Sequence, residues 1–167
     1  MKKPARLATA ANRPSESIGT AEPYRAARYR VTLVCDTEGT GTAEPIRDSI
    51  TAVQLFRPCF DGLDREHFLV CGLDAKHRVI GINVVSIGSL SLSIVHPREV
   101  FKPLIVMNAA AWLAAHNHPS GDATPSQEDR VLTKRLREAA ELLGITLLDH
   151  VILGEERHYS FADEGWP

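Results

Sequence analysis

The chain has 167 residues, of which 44% are hydrophobic and 24% are charged, and its formal net charge is −2. These values are typical of one globular domain, and the sequence contains neither an apolar run long enough for a transmembrane helix nor a signal peptide. The three cysteines are odd in number and form no Cys-x-x-Cys pair, so we expect reduced thiols and a cytoplasmic location.

The charge is unevenly distributed along the chain. Residues 1–30 contain seven Lys or Arg and two Glu, for a charge of +5, whereas the remaining residues contain twelve Lys or Arg and nineteen Asp or Glu, for −7. Residues 1–28 also lack apolar periodicity, which predicts a disordered basic tail ahead of a folded domain at 29–167. The acidic domain argues against a broad nucleic-acid-binding face. The tail could attract nucleic acid through its charge, although solvated basic tails are common.

Strand and helix patterns alternate along the rest of the chain. Strands are predicted at 29–34, 66–73, 78–87, 90–95, 109–115, 145–153 and 158–161, and helices at 45–56, 97–107 and 125–143. The strands at 66–73 and 78–87 should form a hairpin, and the first helix should turn Ile46, Ile50 and Val53 inward. Interleaved strands and helices predict an α/β (α+β) fold in which a mixed β-sheet packs against helices.

The last predicted helix has clear ends and an inward carboxylate. Thr124 is the expected N-cap, Gln127 completes a capping box with it, and Gly144 ends the helix. Asp129 falls in the same arc as the apolar stripe, because the stripe begins three residues later. Burying an unpaired carboxylate is very unfavourable, so Asp129 needs a neutralising partner. The stripe comprises Leu132, Leu136, Ala139, Ala140 and Leu143.

Two histidines follow the buried strand pattern at 109–115. His116 and His118 should point the same way if the extended geometry persists, because positions two apart share a face of a strand. Two neutral imidazoles and the carboxylate of Asp129 would leave a tetrahedral zinc ion one open position, which is the catalytic pattern. Alternatively, the histidines could be hydrogen-bonded core or turn residues, and Asp129 could favour a helix N-terminus electrostatically. The facing arrangement of all three favours the metal site.

The segment that contains these residues resembles a known metal signature. Residues 116–129 read His-Asn-His-Pro-Ser-Gly-Asp-Ala-Thr-Pro-Ser-Gln-Glu-Asp. The spacing His-x-His, seven residues, Ser, two residues, Asp resembles the signature of the JAMM/MPN metalloproteases, and the full text resembles their RadC branch. The stretches 97–101, 108–111 and 148–152 are also RadC-like, and the resemblance covers about residues 29–165. It implies the MPN (JAB) fold, with a cytidine-deaminase-like architecture.

The resemblance also implies roles for individual residues. It makes His116, His118 and Asp129 the zinc ligands, Ser126 a group that assists the tetrahedral intermediate, and Glu66 the general acid/base. From the sequence alone, Glu66 could equally be a solvated residue at a strand edge. Ser126 could equally be a second residue in the first turn of the helix.

The resemblance implies a zinc-dependent metallohydrolase. We expect a metallopeptidase or isopeptidase that cleaves an amide bond in a peptide or protein substrate with a zinc-activated water. The alternative is a non-enzymatic accessory protein in DNA repair or mobile-element biology. His150, which follows Asp149 inside an apolar strand, is interpreted as a satisfied core residue or as a group that orients a metal ligand.

Overall fold

The computed structural model describes Arg30, Val34 and residues 44–88 and 95–167. The predicted tail, and most of the strands predicted at 29–34 and 90–95, lie outside the described residues. All elements named below lie in one compact unit, Val31–Pro167. The elements in chain order are helix α1 (Ser49–Phe56), a 3₁₀ turn (Arg57–Phe60), strands β1 (His67–Leu73) and β2 (Val79–Ile87), helix α2 (Pro97–Val106), strand β3 (Ala111–Asn117), helix α3 (Gln127–Leu143) and strands β4 (Thr146–Leu153) and β5 (His158–Ser160).

The strands form one five-stranded mixed sheet in the order β2-β1-β3-β4-β5. Strand β1 is antiparallel to β2 and to β3, β3 is parallel to β4, and β4 is antiparallel to β5. The predicted hairpin and the predicted mixed sheet are therefore confirmed. The α+β architecture, with three helices on the sheet, is consistent with the MPN (JAB) fold. Among the described residues, no helix combines the length and the hydrophobicity needed to span a membrane.

Strand β3 lies at the centre of the sheet, and every one of its residues is buried. Its alternating side chains enter two separate hydrophobic clusters, one on each face of the sheet. Trp112 and Ala114 pack in the cluster that includes residues of α2 and α3, and Leu113 and Ala115 pack in the cluster that includes residues of α1. His116 follows Ala114 by two residues, so its side chain lies on the same face of the sheet as Trp112 and Ala114, the face that α3 covers.

Helix α1 is shorter than predicted. It begins at Ser49 because Asp48 is an effective N-cap, whose carboxylate accepts a hydrogen bond from the Thr51 backbone N–H at 2.8 Å. The inward prediction is right for Val53, which is 8% exposed, and wrong for Ile50, which is 59% exposed. The buried face of this helix comprises Ala52, Val53 and Phe56.

Helix α3 also begins later than predicted. Its N-cap is Ser126, not Thr124, and the capping box joins Ser126 to Asp129. Thr124 instead donates its backbone N–H and its hydroxyl to a carboxylate oxygen of Asp122, whereas the Ser126 hydroxyl accepts from the Asp129 backbone N–H. The end of the helix is as predicted, with Gly144 in the left-handed conformation, but Leu143 is exposed and not part of the stripe.

Candidate metal centre

His116 is fixed in position by the centre of the sheet. It lies opposite Phe68 of β1 and Ile152 of β4, so the strand that carries it has a neighbour on each side. The His116 side chain is 1% exposed. A histidine buried in this way has only protein groups as hydrogen-bond partners, and its orientation follows from theirs.

His118 lies just beyond the end of β3, yet it points to the same place. Its backbone N–H donates to the carbonyl of Leu153 at 2.9 Å, which extends the pairing with β4. Its Nδ1 lies 2.7 Å from the carbonyl oxygen of Asp122. Because a carbonyl can only accept, the Nδ1 atom carries a proton, which leaves Nε2 as the atom that can bind a metal ion once the ring is neutral. Nε2 of His118 lies 3.0 Å from Nε2 of His116.

Asp129 brings a carboxylate to the two imidazoles. Its Oδ1 lies 3.2 Å from Nε2 of His116, and its Oδ2 lies 3.6 Å from Nε2 of His118. Ligand atoms of these three residues all lie within 4.8 Å of one another, so the group could hold a metal ion. The predicted facing of His116, His118 and Asp129 is therefore found in the structure.

The titration behaviour of this group follows from its contacts. Burial opposes ionisation of Asp129, but hydrogen bonds from His116, His118 and Ser126 outweigh it and hold the pKa of the carboxyl far below its usual 3.8. The hydrogen bond to Asp129 raises the pKa of His118 against the opposing effect of burial, and the negative charge of Glu66 adds to the rise. The carboxylate is therefore ionised throughout the physiological range, as a metal ligand must be.

Ser126 contacts the candidate ligand directly. Its hydroxyl donates to Oδ2 of Asp129 at 2.6 Å and accepts from the Asp129 backbone N–H at 3.1 Å. Its own backbone N–H donates to the same Oδ2 at 2.7 Å. A serine hydroxyl has one proton, and here that proton goes to the carboxylate. The oxyanion role of Ser126 stays a prediction, and the geometry adds a second role, that of orienting Asp129.

Glu66 lies immediately before β1, at the same end of the sheet as His118. Asn117 holds the main chain on both sides of it: the Asn117 Oδ1 accepts from the His67 N–H at 2.8 Å, and the Asn117 Nδ2 donates to the Arg65 carbonyl at 3.0 Å. The Glu66 carbonyl accepts from the Gly88 N–H at 2.7 Å. Asn117 stands between the two histidines in sequence and projects to the opposite face of β3. One tripeptide thus contacts both the candidate metal position and the segment that carries the predicted base.

Two buried residues complete the surroundings of His116. His150 on β4 is fully buried, and its Nε2 lies 2.9 Å from Nδ1 of His116. Its Nδ1 lies 2.7 Å from the hydroxyl of Thr133 on α3. Burial, reinforced by the charge of His116, lowers the pKa of His150 well below 6.5, so this ring is neutral. Sequence reasoning noted His150 and missed Thr133, although Thr133 lies one helical turn after Asp129 and is therefore on the same face.

A polar cavity opens beside His118. Its volume is about 480 Å³, and its lining comes from three segments within 57–63, 117–121 and 153–155. The guanidinium of Arg57 connects two of these segments, because it donates to the carbonyls of Gly154 and Glu155 at 3.2 and 2.9 Å. Segment 117–121 packs closely against segment 153–155, since a Cβ added at Gly154 would collide with the carbonyl oxygen of Gly121. Of the three candidate ligands, His118 lines this cavity, and His116 and Asp129 do not.

Comparison with known proteins identifies the family of this fold and site. A family model described as the RadC-like JAB domain matches residues 46–166. A UPF0758 protein of Desulforamulus reducens is 53% identical over 103 residues, which are 62% of this chain and 45% of the relative. A UPF0758 protein of Thermotoga maritima is 44% identical over 117 residues, which are 69% of this chain and 53% of the relative. The chain thus spans about half the length of the curated relatives it matches. It belongs to the RadC-like JAB domain family.

Proposed function

We propose that this protein is a zinc-dependent metallohydrolase that cleaves an amide bond in a peptide or protein. The observation that carries the proposal is the convergence of three donors, Nε2 of His116, Nε2 of His118 and a carboxylate oxygen of Asp129. Two imidazole nitrogens and one carboxylate oxygen fit zinc, and three protein ligands leave a fourth position for water or substrate. Membership of the JAB superfamily, which includes metalloproteases, supports the same reaction class.

The three donors would hold the metal, and other residues of the chain would move the proton. Bound zinc supplies Lewis acidity, which makes a water molecule acidic and polarises the scissile carbonyl. Glu66 takes a proton from the attacking water and delivers it to the leaving amine as the carbon–nitrogen bond breaks. Its position supports this role, since Phe68, two residues further on, pairs with His116 and so places Glu66 at the same end of the sheet as the candidate ligands.

The cavity beside His118 supports a substrate larger than a single amino acid. Its volume of about 480 Å³ accommodates a few residues of an extended chain, and its lining is more polar than apolar. Loop segments held on a rigid sheet are common sites of substrate binding. We assign to this cavity the substrate residues next to the scissile bond.

The test combines metal content with cleavage of a peptide library. The purified protein should contain about one zinc ion per chain, and the double variant His116→Ala/His118→Ala should contain none. Glu66→Gln is the matched variant: it should keep zinc and the fold, and lose hydrolysis by about 10²–10⁴-fold, because an amide cannot accept the proton. Full zinc occupancy in the double variant would overturn the ligand assignment. Cleavage at the unchanged rate by Glu66→Gln would show that another residue is the base.

A further inference from the structure

A continuous series of hydrogen bonds leads from one candidate ligand to another through the protein interior. It runs from Nδ1 of His116 to Nε2 of His150 at 2.9 Å, and from Nδ1 of His150 to the hydroxyl of Thr133 at 2.7 Å. It ends where the Thr133 hydroxyl donates to the carbonyl oxygen of Asp129 at 2.6 Å. The series joins β3, β4 and α3, and both of its ends are residues that converge on the same candidate metal position.

The direction of every proton in this series follows from one requirement. A metal ion binds the unprotonated nitrogen of a neutral imidazole, so a His116 ring that ligates through Nε2 carries its proton on Nδ1. Nε2 of His150 must then accept, which places the His150 proton on Nδ1. The Thr133 hydroxyl must accept that proton, and its own hydrogen goes to the Asp129 carbonyl, which can only accept. Every donor in the series therefore faces an acceptor, and each proton takes part in one hydrogen bond.

The surroundings prevent water from replacing these partners. His150 is 0% exposed and Thr133 is 0% exposed. The His150 ring is stacked with Phe161 at a centroid distance of 5.2 Å and makes an edge contact with Phe68 at 5.4 Å. An unpaired donor or acceptor at this depth costs free energy, so the hydrogen-bond pattern selects one tautomer for each ring.

We propose that His150 and Thr133 are positioning residues that hold the His116 ring in the tautomer whose Nε2 lone pair faces the metal. The inference rests on the metal site of the proposed function and not on hydrolysis. If Thr133 lost its hydroxyl, Nδ1 of His150 would face no acceptor, and the His150 proton would move to Nε2. That N–H would donate to Nδ1 of His116, and the His116 proton would then occupy Nε2, where it blocks ligation.

The test uses paired variants at each position. Thr133→Val has nearly the same shape but no hydroxyl, whereas Thr133→Ser retains the hydroxyl. His150→Phe keeps an aromatic ring beside Phe68 and Phe161 but has no nitrogen, whereas His150→Gln can still accept on one atom and donate on another. Ser160→Ala is the matched control, because it removes a different buried hydrogen bond, to Asp149, that is outside the series.

Zinc affinity is measured by competition with a chelator, and thermal unfolding of the metal-free protein is measured in parallel. Thr133→Val and His150→Phe should lower zinc affinity by about 10–100-fold, the usual effect of removing a hydrogen-bond partner of a ligand. Thr133→Ser should retain most of the zinc affinity. Ser160→Ala should lower the melting temperature without changing the zinc affinity. Unchanged affinity in both Thr133→Val and His150→Phe would overturn the inference.

A spectroscopic measurement separates this inference from the hydrolytic proposal. Long-range ¹H–¹⁵N NMR spectra of the zinc-loaded protein should show the Nδ1–H tautomer for both His116 and His150. An Nε2–H tautomer of His150 in the zinc-loaded protein would contradict the inference. Zinc binding with the expected tautomers but no cleavage of any peptide would refute the proposed hydrolysis and leave the positioning role confirmed.

Discussion

The side-chain amide of Asn117 holds the main chain on both sides of Glu66. It accepts from the N–H of the residue after Glu66 and donates to the carbonyl of the residue before it, at 2.8 and 3.0 Å. Asn117 itself is only 7% exposed, so water has little access to replace these bonds. The predicted base is thus attached to the strand that carries the candidate metal ligands, although the two are about 50 residues apart in sequence.

Asn117→Ala should disturb the position of Glu66 and leave metal binding unchanged. Loss of both hydrogen bonds frees the segment, and a displacement of about 1 Å can lower turnover by about 10²-fold. Zinc content should be unchanged, because neither histidine loses a partner. Turnover of a peptide substrate and zinc content are measured together, with Asn83→Ala on the exposed side of β2 as the control. Loss of zinc together with turnover would contradict this division of roles.

Ser126→Ala should weaken metal binding as well as the helix. The N-cap of α3 is lost, which costs about 0.5–2 kcal/mol of stability. Oδ2 of Asp129 also loses the hydroxyl that orients it, so zinc affinity should fall by about 10-fold or more. Ser126→Thr, which keeps the hydroxyl, should behave nearly as the unchanged protein. If Ser126→Ala instead binds zinc normally and loses about 10²–10³-fold in turnover, the hydroxyl serves the oxyanion in the reaction.

Asp149 should make stability depend on pH in an unusual direction. Burial raises the pKa of its carboxyl above 3.8 despite hydrogen bonds from Ser160 and Ala162. The folded state therefore binds the proton more tightly than the unfolded state, and stability is gained as pH falls through the folded-state pKa. Chemical denaturation between pH 7 and pH 4 should show the natural protein gaining stability relative to Asp149→Asn. A relative loss over this range would show that the hydrogen bonds outweigh burial.

The basic N-terminal segment provides the test of a nucleic-acid role. Because residues 29–167 contain 13 Lys or Arg and 19 Asp or Glu, for a charge of −6, removal of residues 1–28 should eliminate most non-specific DNA binding. Binding is measured over a range of salt concentrations for the full chain and for the truncated chain. A full-length variant with the Lys and Arg residues of this segment replaced by Gln is the matched control. Equally tight binding by the truncated chain, with a steep salt dependence, would favour the accessory-protein alternative.

The parts of the site that sequence predicted are those that depend on local periodicity. His116 and His118 face one way because strands alternate with a period of two, and Asp129 faces inward because Leu136 lies about two helical turns further on. The start of α3 was predicted wrongly because Thr124 and Ser126 are both good caps. In the structure the Asp122 carboxylate accepts both hydrogen bonds that Thr124 donates, and the Ser126 hydroxyl is the one that accepts from the Asp129 backbone N–H.

The contacts that sequence reasoning could not specify depend on which strands are neighbours. Asn117 reaches the segment of Glu66 only because β1 lies beside β3, and His150 reaches His116 only because β4 lies on the other side. Neither adjacency follows from periodicity, which gives the elements and their faces but not their order in the sheet. Thr133 was missed for a simpler reason: a polar residue on the inward face of a helix does not appear in a search for apolar positions.

The central place of β3 has a consequence for the choice among metal ions. Strand neighbours on both edges fix the backbone at His116, so the two imidazoles cannot separate to make room for a larger coordination sphere. Calcium takes about six to eight oxygen ligands at roughly 2.3–2.6 Å, whereas zinc is satisfied by four. The sheet would therefore favour a metal ion with a low coordination number, and the nitrogen donors would add their own preference for zinc over calcium. Selectivity in this protein would be a property of its central strand.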